Sequence, residues 1–213
     1  NINYHFRKII IMRKIALIII SFFFSLSAFC QEESGAIKTN TGILLYFNVE
    51  NNNHTLSLEG DIDLSNFPYI KLDDNFLQFI VNDKRNFITK DSSILSNYMN
   101  WEIDYFEEQF ETELEVENET NSISDLQINF WNIKNPKIDD KEIQNPVIIT
   151  FFADFIHKDF IYRFSYSSMS GIKKEANAVL KSLINGMTFY NSPLDMNKLQ
   201  QAVKNGVNYY TEE

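Results

Sequence analysis

The fold is decided by residues 146–190, which contain VIITFFA at 147–153 and FIYRFSYS at 160–167. The first run is apolar throughout most of its length, which indicates a strand covered on both faces. The second run alternates aromatic residues with smaller or polar ones, a period of two that is typical of a strand. The polar sequence HKD at 157–159 predicts a tight turn between them. We therefore expect an antiparallel hairpin.

After this hairpin the apolar residues recur at helical spacing. The positions are Ile172, Ala176, Val179, Leu180, Leu183, Ile184 and Met187. Ser170 is predicted to cap the start of this helix, and Gly186 is predicted to end it in a left-handed turn. The helix must bury its apolar side, and the aromatic face of the hairpin, Phe160 to Tyr166, is the nearest partner.

The start of the chain predicts export. Residues 1–11 precede the first methionine and are interpreted as an upstream extension. Residues 12–30 are interpreted as a signal peptide, because two basic residues are followed by an apolar run and the sequence SAFC. The alternatives are an uncleaved anchor, for which the apolar run is short, and a lipoprotein acylated at Cys30, for which Phe29 is an unusual preceding residue. We expect a periplasmic or secreted protein.

The rest of the chain is predicted to be a flexible leader over 31–40 and a single domain over 41–213. The full sequence carries 19 Lys and Arg against 29 Asp and Glu, a formal net charge of −10. Nucleic acid and anionic membranes both require a basic surface, so neither is an expected partner. Cys30 is the only cysteine, so no disulfide is expected after signal removal. We expect a monomer without a membrane span.

The segment before the hairpin predicts further strands and one helix. Strands are predicted at 43–49, 54–59, 69–72, 76–81, 87–89 and 126–133, with an edge strand at 114–117, a turn at 51–53, and loops at 61–66, 118–122 and 135–145. A helix is predicted from Asp91 or Ser92 to near Glu113, with one buried apolar stripe at Leu95, Met99, Ile103, Phe106 and Phe110. A last helix is predicted to begin with Ser192 as its cap and to end at Gly206.

Consecutive hairpins predict an antiparallel sheet, and the helices must cover it. The expected fold class is α+β, an antiparallel sheet covered by helices in an α/β/α layered sandwich. Over residues 92–190, the order of helix, three strands with a long first loop, and a closing helix containing VLKSL at 179–183 resembles the PsbP-like domains. The resemblance implies an α/β/α sandwich and an accessory or binding role rather than catalysis. It implies no functional residue, since that family shares no catalytic set.

The residues themselves assign no catalytic, cofactor-binding or metal site. His54 and His157 lie at or beside predicted turns, where we expect them to be solvated, and no His or Cys spacing matches a structural metal site. The sequence SMSG at 168–171 lacks the nucleophile elbow of the α/β-hydrolases. The chain has no phosphate-binding loop and no dinucleotide fingerprint. No cofactor is expected.

Two surfaces remain candidates for binding. Nine acidic residues and no basic ones lie between Glu102 and Glu119. This run is interpreted as the solvated face of a helix, with divalent cations or a basic partner as alternatives. A second candidate is an aromatic platform for a carbohydrate or protein partner, formed by Trp101, Trp131 and Tyr209–Tyr210, although aromatic residues also build cores.

The leading hypothesis is an exported, non-enzymatic binding or accessory protein of the bacterial cell envelope, with an unknown protein or glycan partner. One alternative is a hydrolase whose site is assembled from scattered Ser, Asp and Glu. Such a site would place His54 or His157 against a serine and a carboxylate in a polar cleft. Another alternative is an inhibitor or immunity-type protein that uses its acidic face.

Overall fold

A computed structural model of the chain describes residues 34–49, 52–72, 75–90, 92–123, 125–136, 147–168 and 171–206. Within these ranges the strands are β1 (Ser34–Lys38), β2 (Gly42–Val49), β3 (Asn52–Glu59), β4 (Ile62–Asn66), β5 (Tyr69–Leu72), β6 (Asn75–Asp83), β7 (Val116–Ile123), β8 (Leu126–Lys134), β9 (Ile149–His157), β10 (Phe160–Ser168) and β11 (Met187–Tyr190). The helices are α1 (Ile94–Phe110), α2 (Lys173–Asn185) and α3 (Met196–Asn205).

The strands form two sheets, and each hydrogen-bonded pair of strands is antiparallel. One sheet has four strands in the order β1-β2-β3-β11, and the other has seven in the order β4-β5-β6-β10-β9-β8-β7. The predicted α+β class is therefore confirmed, with strands as its main component. The second sheet was not predicted, because β11 pairs with β3 from the opposite end of the chain.

The predicted hairpin, β9 and β10, lies near the middle of the seven-stranded sheet. Phe160 pairs with His157 across a turn in which Lys158 has a φ of 52°. Residues 151–155 are all buried, so the strand is covered on both faces as predicted. Helices α1 and α2 both pack on this hairpin, and its strands line part of the cleft described below.

Helix α2 packs on the aromatic face of this hairpin, as the sequence predicts. Leu180, Leu183 and Ile184 share one buried core with Tyr162 and Phe164. The four-stranded sheet contributes further apolar side chains to the same core, namely Leu45, Leu56 and Leu58. Burial of a leucine contributes about 1.5–3 kcal/mol, so this shared core is a main source of stability.

The end of α2 differs from the prediction. Gly186 has φ −75° and ψ −9°, a right-handed conformation that any residue adopts. The glycine is required by a close approach instead, because a Cβ at this position would lie 2.6 Å from the carbonyl oxygen of Ser57. The Ser57 N–H donates a hydrogen bond to the Gly186 carbonyl at 2.9 Å. At the other end, Ile172 precedes the helix without a side-chain cap, and Ser170 lies outside the described residues.

We predict that Gly186→Ala lowers the free energy of unfolding by about 1–3 kcal/mol, because the added methyl group must push α2 away from β3. Chemical denaturation measures the change. Asn185→Ala, one residue earlier and exposed, is the matched control and should have little effect. A Gly186→Ala variant as stable as the parent would show that α2 and β3 can move apart without loss of stability.

Four segments predicted to lack regular structure are strands. Ser34–Lys38 of the predicted flexible leader forms β1, residues 62–66 form β4, and residues 118–122 belong to β7. All three are edge strands. In β1 and β4 only two residues each are half-buried, so the apolar alternation is too short to predict a strand, and β7 has six consecutive exposed residues. The fourth is the predicted turn at 51–53, where Asn52 and Asn53 are buried residues of β3.

Smaller corrections concern ends and caps. Residues 84–87 form a 3₁₀ turn where a strand at 87–89 was predicted. Helix α1 is shorter than predicted at both ends and is capped by Ser93. Asp195 caps α3 in place of Ser192, accepting hydrogen bonds from two backbone N–H groups, and Gly206 ends the helix as predicted. The predicted signal and most of the loop at 135–145 lie outside the described residues.

Candidate ligand-binding cleft

Helix α1 packs on the face of the seven-stranded sheet opposite to α2. Its Met99 contacts a cluster of buried side chains from β8 and β9, among them Trp131 and Phe152. The rings of Trp131 and Phe152 stack with centroids 3.9 Å apart, and Phe106 of the helix lies 6.0 Å from Phe152. The predicted apolar stripe is therefore buried in its middle, whereas Phe110 at its end is 40% exposed.

A buried ion cluster ties α1 to the sheet. Arg163 Nε donates to Asp154 Oδ1 at 2.7 Å, and Nη2 donates to Oδ2 at 2.9 Å. Arg163 Nη1 also contacts Glu102 Oε1 of α1 at 2.6 Å. Trp131 Nε1 donates to Asp154 Oδ2 at 2.7 Å. The guanidinium lies 4.1 Å from the ring centroid of Tyr98, so every side of it is occupied.

The two carboxylates of the cluster keep Arg163 positively charged. Burial alone would lower the pKa of Arg163, but Asp154 and Glu102 beside it hold that pKa above its ordinary value. Burial raises the pKa of Glu102, against the opposing effect of Arg163. Glu102 opens the acidic run that was predicted to face solvent, and its burial corrects that prediction for this residue.

Beyond the C-terminal end of α1, the same face of the sheet is left open as a cleft of about 460 Å³. Phe106 and Phe110 border it from the helix, and Tyr69 and Phe76 border it from β5 and β6. The rest of the lining mixes apolar and polar side chains. The apolar ones are Leu77, Ile133, Pro136, Val147 and Phe152, and the polar ones are Gln78, Thr150, Ser165, Ser167 and, beside β8, Asn135.

Strand register explains why these residues meet. Tyr69 pairs with Gln78, which pairs with Ser165, which pairs with Phe152, giving one row across four strands. Phe76, Ser167 and Thr150 form the neighbouring row. Residues two apart on a strand share a face, so both rows lie on the side that carries Arg163 and α1.

The lining of the cleft is mostly apolar and carries no charge, since no described residue that lines it is an acid, a base or a histidine. Gln78 Oε1 accepts a hydrogen bond from Ser165 Oγ at 3.4 Å. Its buried Nε2 has no partner of ordinary hydrogen-bond geometry among the described residues, but the Gln78 side chain lies close enough to the Tyr69 hydroxyl to oppose the effect of burial on the pKa of Tyr69. Burial raises the pKa of Tyr69, so its phenol remains protonated at neutral pH. A buried amide donor without a partner is unusual and costs stability.

Aromatic side chains are exposed at the mouth of the cleft. Phe76 is 55% exposed and Tyr69 is 47% exposed. Isolated exposed apolar residues are common, but a group of aromatic rings around one concavity indicates a binding site.

The structure separates the residues of the predicted aromatic platform. Trp131 is buried beneath α1, whereas Trp101 is 53% exposed on the outer side of that helix, next to Phe87. Tyr209 and Tyr210 lie outside the described residues. The three positions therefore do not form the predicted platform among the residues that the structure describes.

His54 is buried, which corrects the prediction of a solvated residue. Its Nδ1 lies 3.1 Å from Asn52 Oδ1, which also accepts a hydrogen bond from the Tyr162 hydroxyl, and Phe47 stacks on the imidazole at 4.5 Å. Burial lowers the pKa of His54 to about 3, and its Nε2 has no partner among the described residues. His157 is half-buried and stacks on Phe189 at 3.8 Å.

Acidic residues of the run between Glu102 and Glu119 make separate local contacts. Glu107 Oε1 accepts a hydrogen bond from the Leu114 N–H at 2.9 Å, and Glu115 pairs with Lys134. In the described part of the chain, no group of three or more His, Cys, Asp or Glu side chains is arranged to hold a metal ion. The run therefore has structural contacts at several positions.

Sequence reasoning did not identify the cleft, because its lining comes from α1 and from five strands that are spread over residues 69–168. One signal was available. The predicted alternation of β10 placed Arg163, Ser165 and Ser167 on the face opposite to the aromatic residues, which indicates a polar patch on an otherwise covered sheet.

Comparison with known proteins gives one structural likeness. No protein-family model and no curated protein matches the chain. The fold is similar to the solution structure of cyanobacterial PsbP (CyanoP) from Synechocystis sp. PCC 6803, with a TM-score of 0.43 and 9% identity over 75% of this chain and 98% of that one. This is the family that the sequence resembles, and the likeness concerns the fold alone.

Proposed function

We propose that the protein is an exported, non-enzymatic binding or accessory protein of the bacterial cell envelope, and that the cleft beside α1 is its ligand site. The observation that carries the proposal is the cleft itself, which is bordered by aromatic rings and lined by apolar side chains together with a few uncharged polar groups. Its volume of about 460 Å³ is that of a small-molecule site.

The chemistry of the lining favours binding over catalysis. General acid–base or nucleophilic catalysis needs a titratable group or an activated nucleophile within hydrogen-bonding reach of the substrate. The hydroxyl of Ser165 donates to Gln78, and no described lining residue is a base that could activate it. His54, which the hydrolase alternative would use, contacts Asn52 and aromatic rings instead.

The proposed location rests on the sequence. The signal pattern at 12–30 supports an exported protein. In the part of the chain that the structure describes, no helix has the length and apolar character needed to cross a membrane. The α/β/α layering of PsbP-like domains belongs to the same proposal and is supported by the packing of α1 and α2 on the hairpin β9–β10.

We predict that Ser167→Phe, which fills the cleft from its floor, weakens the binding of the neutral dye Nile red by about tenfold or more, because the ring occupies the site. Fluorescence titration measures the affinity. Ser122→Phe on the exposed strand β7 is the matched control and should leave the affinity unchanged. Equal affinity in both variants would place the dye elsewhere and contradict the proposed site.

A further inference from the structure

We infer that the ligand of the cleft is a neutral saccharide, an inference that rests on the proposed binding function. The site combines three features: aromatic rings from two layers of the fold, uncharged hydrogen-bonding groups between them, and a buried amide donor without a partner. A sugar ring has complementary features, with apolar C–H groups on its faces and neutral hydroxyl groups around its edge.

The aromatic residues provide surfaces for the faces of a ring. Phe106 and Phe110 come from α1, whereas Tyr69 and Phe76 come from neighbouring strands of the sheet. The faces of aromatic rings carry a partial negative potential that attracts polarised C–H groups. Their exposure at the mouth means that a bound ring would cover apolar surface that is otherwise in water.

Apolar side chains make up most of the lining, but its polar groups disfavour a purely hydrocarbon ligand. Such a ligand would remove water from Gln78, Ser165 and Ser167 without replacing its hydrogen bonds, which is unfavourable. Gln78 Nε2 is already buried without a partner among the described residues. A hydroxyl or ring oxygen of a ligand would accept this N–H and remove the penalty.

The absence of charge from the described lining disfavours an ionic ligand. Phosphates and carboxylates are normally held by Arg, Lys or a helix N-terminus, and the cleft lies at the C-terminal end of α1. A cation would need carboxylates, and no described lining residue supplies one. The amide and hydroxyl groups that are present both donate and accept hydrogen bonds, as sugar hydroxyls require.

The test uses isothermal titration calorimetry of the mature chain with neutral sugars: the methyl glycosides of glucose, galactose, mannose and N-acetylglucosamine, with maltose and N,N′-diacetylchitobiose. We expect at least one sugar to bind, and Gln78→Leu to weaken it by about tenfold or more, because the variant loses the amide donor. Gln127→Leu, an exposed strand residue outside the cleft, should leave the affinity unchanged. Glucuronate, which carries a negative charge, should bind more weakly than its neutral counterpart.

The outcomes separate this inference from the proposed function. If Nile red binds in the cleft and no neutral sugar binds or displaces it, the saccharide inference is wrong and the binding site stands. If neither dye nor sugar binds, both fail. If a sugar binds equally well to the parent, Gln78→Leu and Ser167→Phe, its site lies elsewhere and the inference is overturned. Ser167→Phe also keeps the test decisive should Gln78→Leu fold poorly.

Discussion

Replacing Asp154 with alanine is expected to lower the free energy of unfolding by about 3–5 kcal/mol, because the change leaves a buried guanidinium without its main counter-ion. Asp154 is fully buried and accepts two hydrogen bonds from Arg163 and one from Trp131. After the substitution, only Glu102 remains to neutralise Arg163. Because small proteins have a total stability of about 5–15 kcal/mol, this loss is a large share of it.

Urea denaturation of the parent and of Asp154→Ala measures the difference. Glu115→Ala is the control, since it removes the carboxylate of an exposed pair with Lys134, and exposed pairs contribute little. Asp154→Asn keeps the shape of the side chain and tests the charge separately. If Asp154→Ala and Glu115→Ala had equal effects, the buried cluster would not stabilise the attachment of α1.

The free energy of unfolding is also expected to fall by about 3 kcal/mol between pH 6.5 and pH 4 through His54 alone. Burial lowers the pKa of His54 from 6.5 in the unfolded chain to about 3 in the folded one. The unfolded state therefore binds more protons throughout this window, and its stability relative to the folded state rises as the pH falls. Above pH 6.5 both states carry neutral His54 and the contribution to stability is complete.

Thermal or urea unfolding at a series of pH values checks this expectation. His54→Leu should reduce the acid sensitivity, because it removes the titrating group while Tyr162 still donates to Asn52. His157→Gln should retain most of it, because His157 is only half-buried, although burial lowers its pKa as well. An identical pH profile for His54→Leu and the parent would show that His54 is accessible to protons in the folded state.

The sequence predicted correctly those strands and helices whose burial imposes a periodic pattern of apolar residues. The hairpin at β9 and β10 and the helix α2 are covered by apolar partners, so their side chains alternate or recur at helical spacing. Edge strands such as β1 and β4 carry only a short pattern, because each has five residues of which two are half-buried. The four-stranded sheet depends on pairing between residues 52–59 and 187–190, which no local pattern indicates.

The candidate site was less predictable than the fold. Its residues come together only through the register of five strands and the position at which α1 ends. Phe106 and Phe110 were predicted to belong to a buried stripe, but Phe110 lies beyond the part of the helix that the ion cluster holds against the sheet. His54 illustrates the same limit, since an asparagine-rich segment that favours a turn is buried here as the start of β3.

The acidic edge strand β7 has a consequence for behaviour at high concentration. An unprotected edge offers free backbone N–H and C=O groups to a second chain, which is one route to filaments. Glu117 and Glu119 are exposed along this edge, with Lys173 at 3.4 Å and 3.7 Å from their carboxylates. Two copies meeting edge to edge along β7 would bring like charges together, so these glutamates discourage aggregation through this strand.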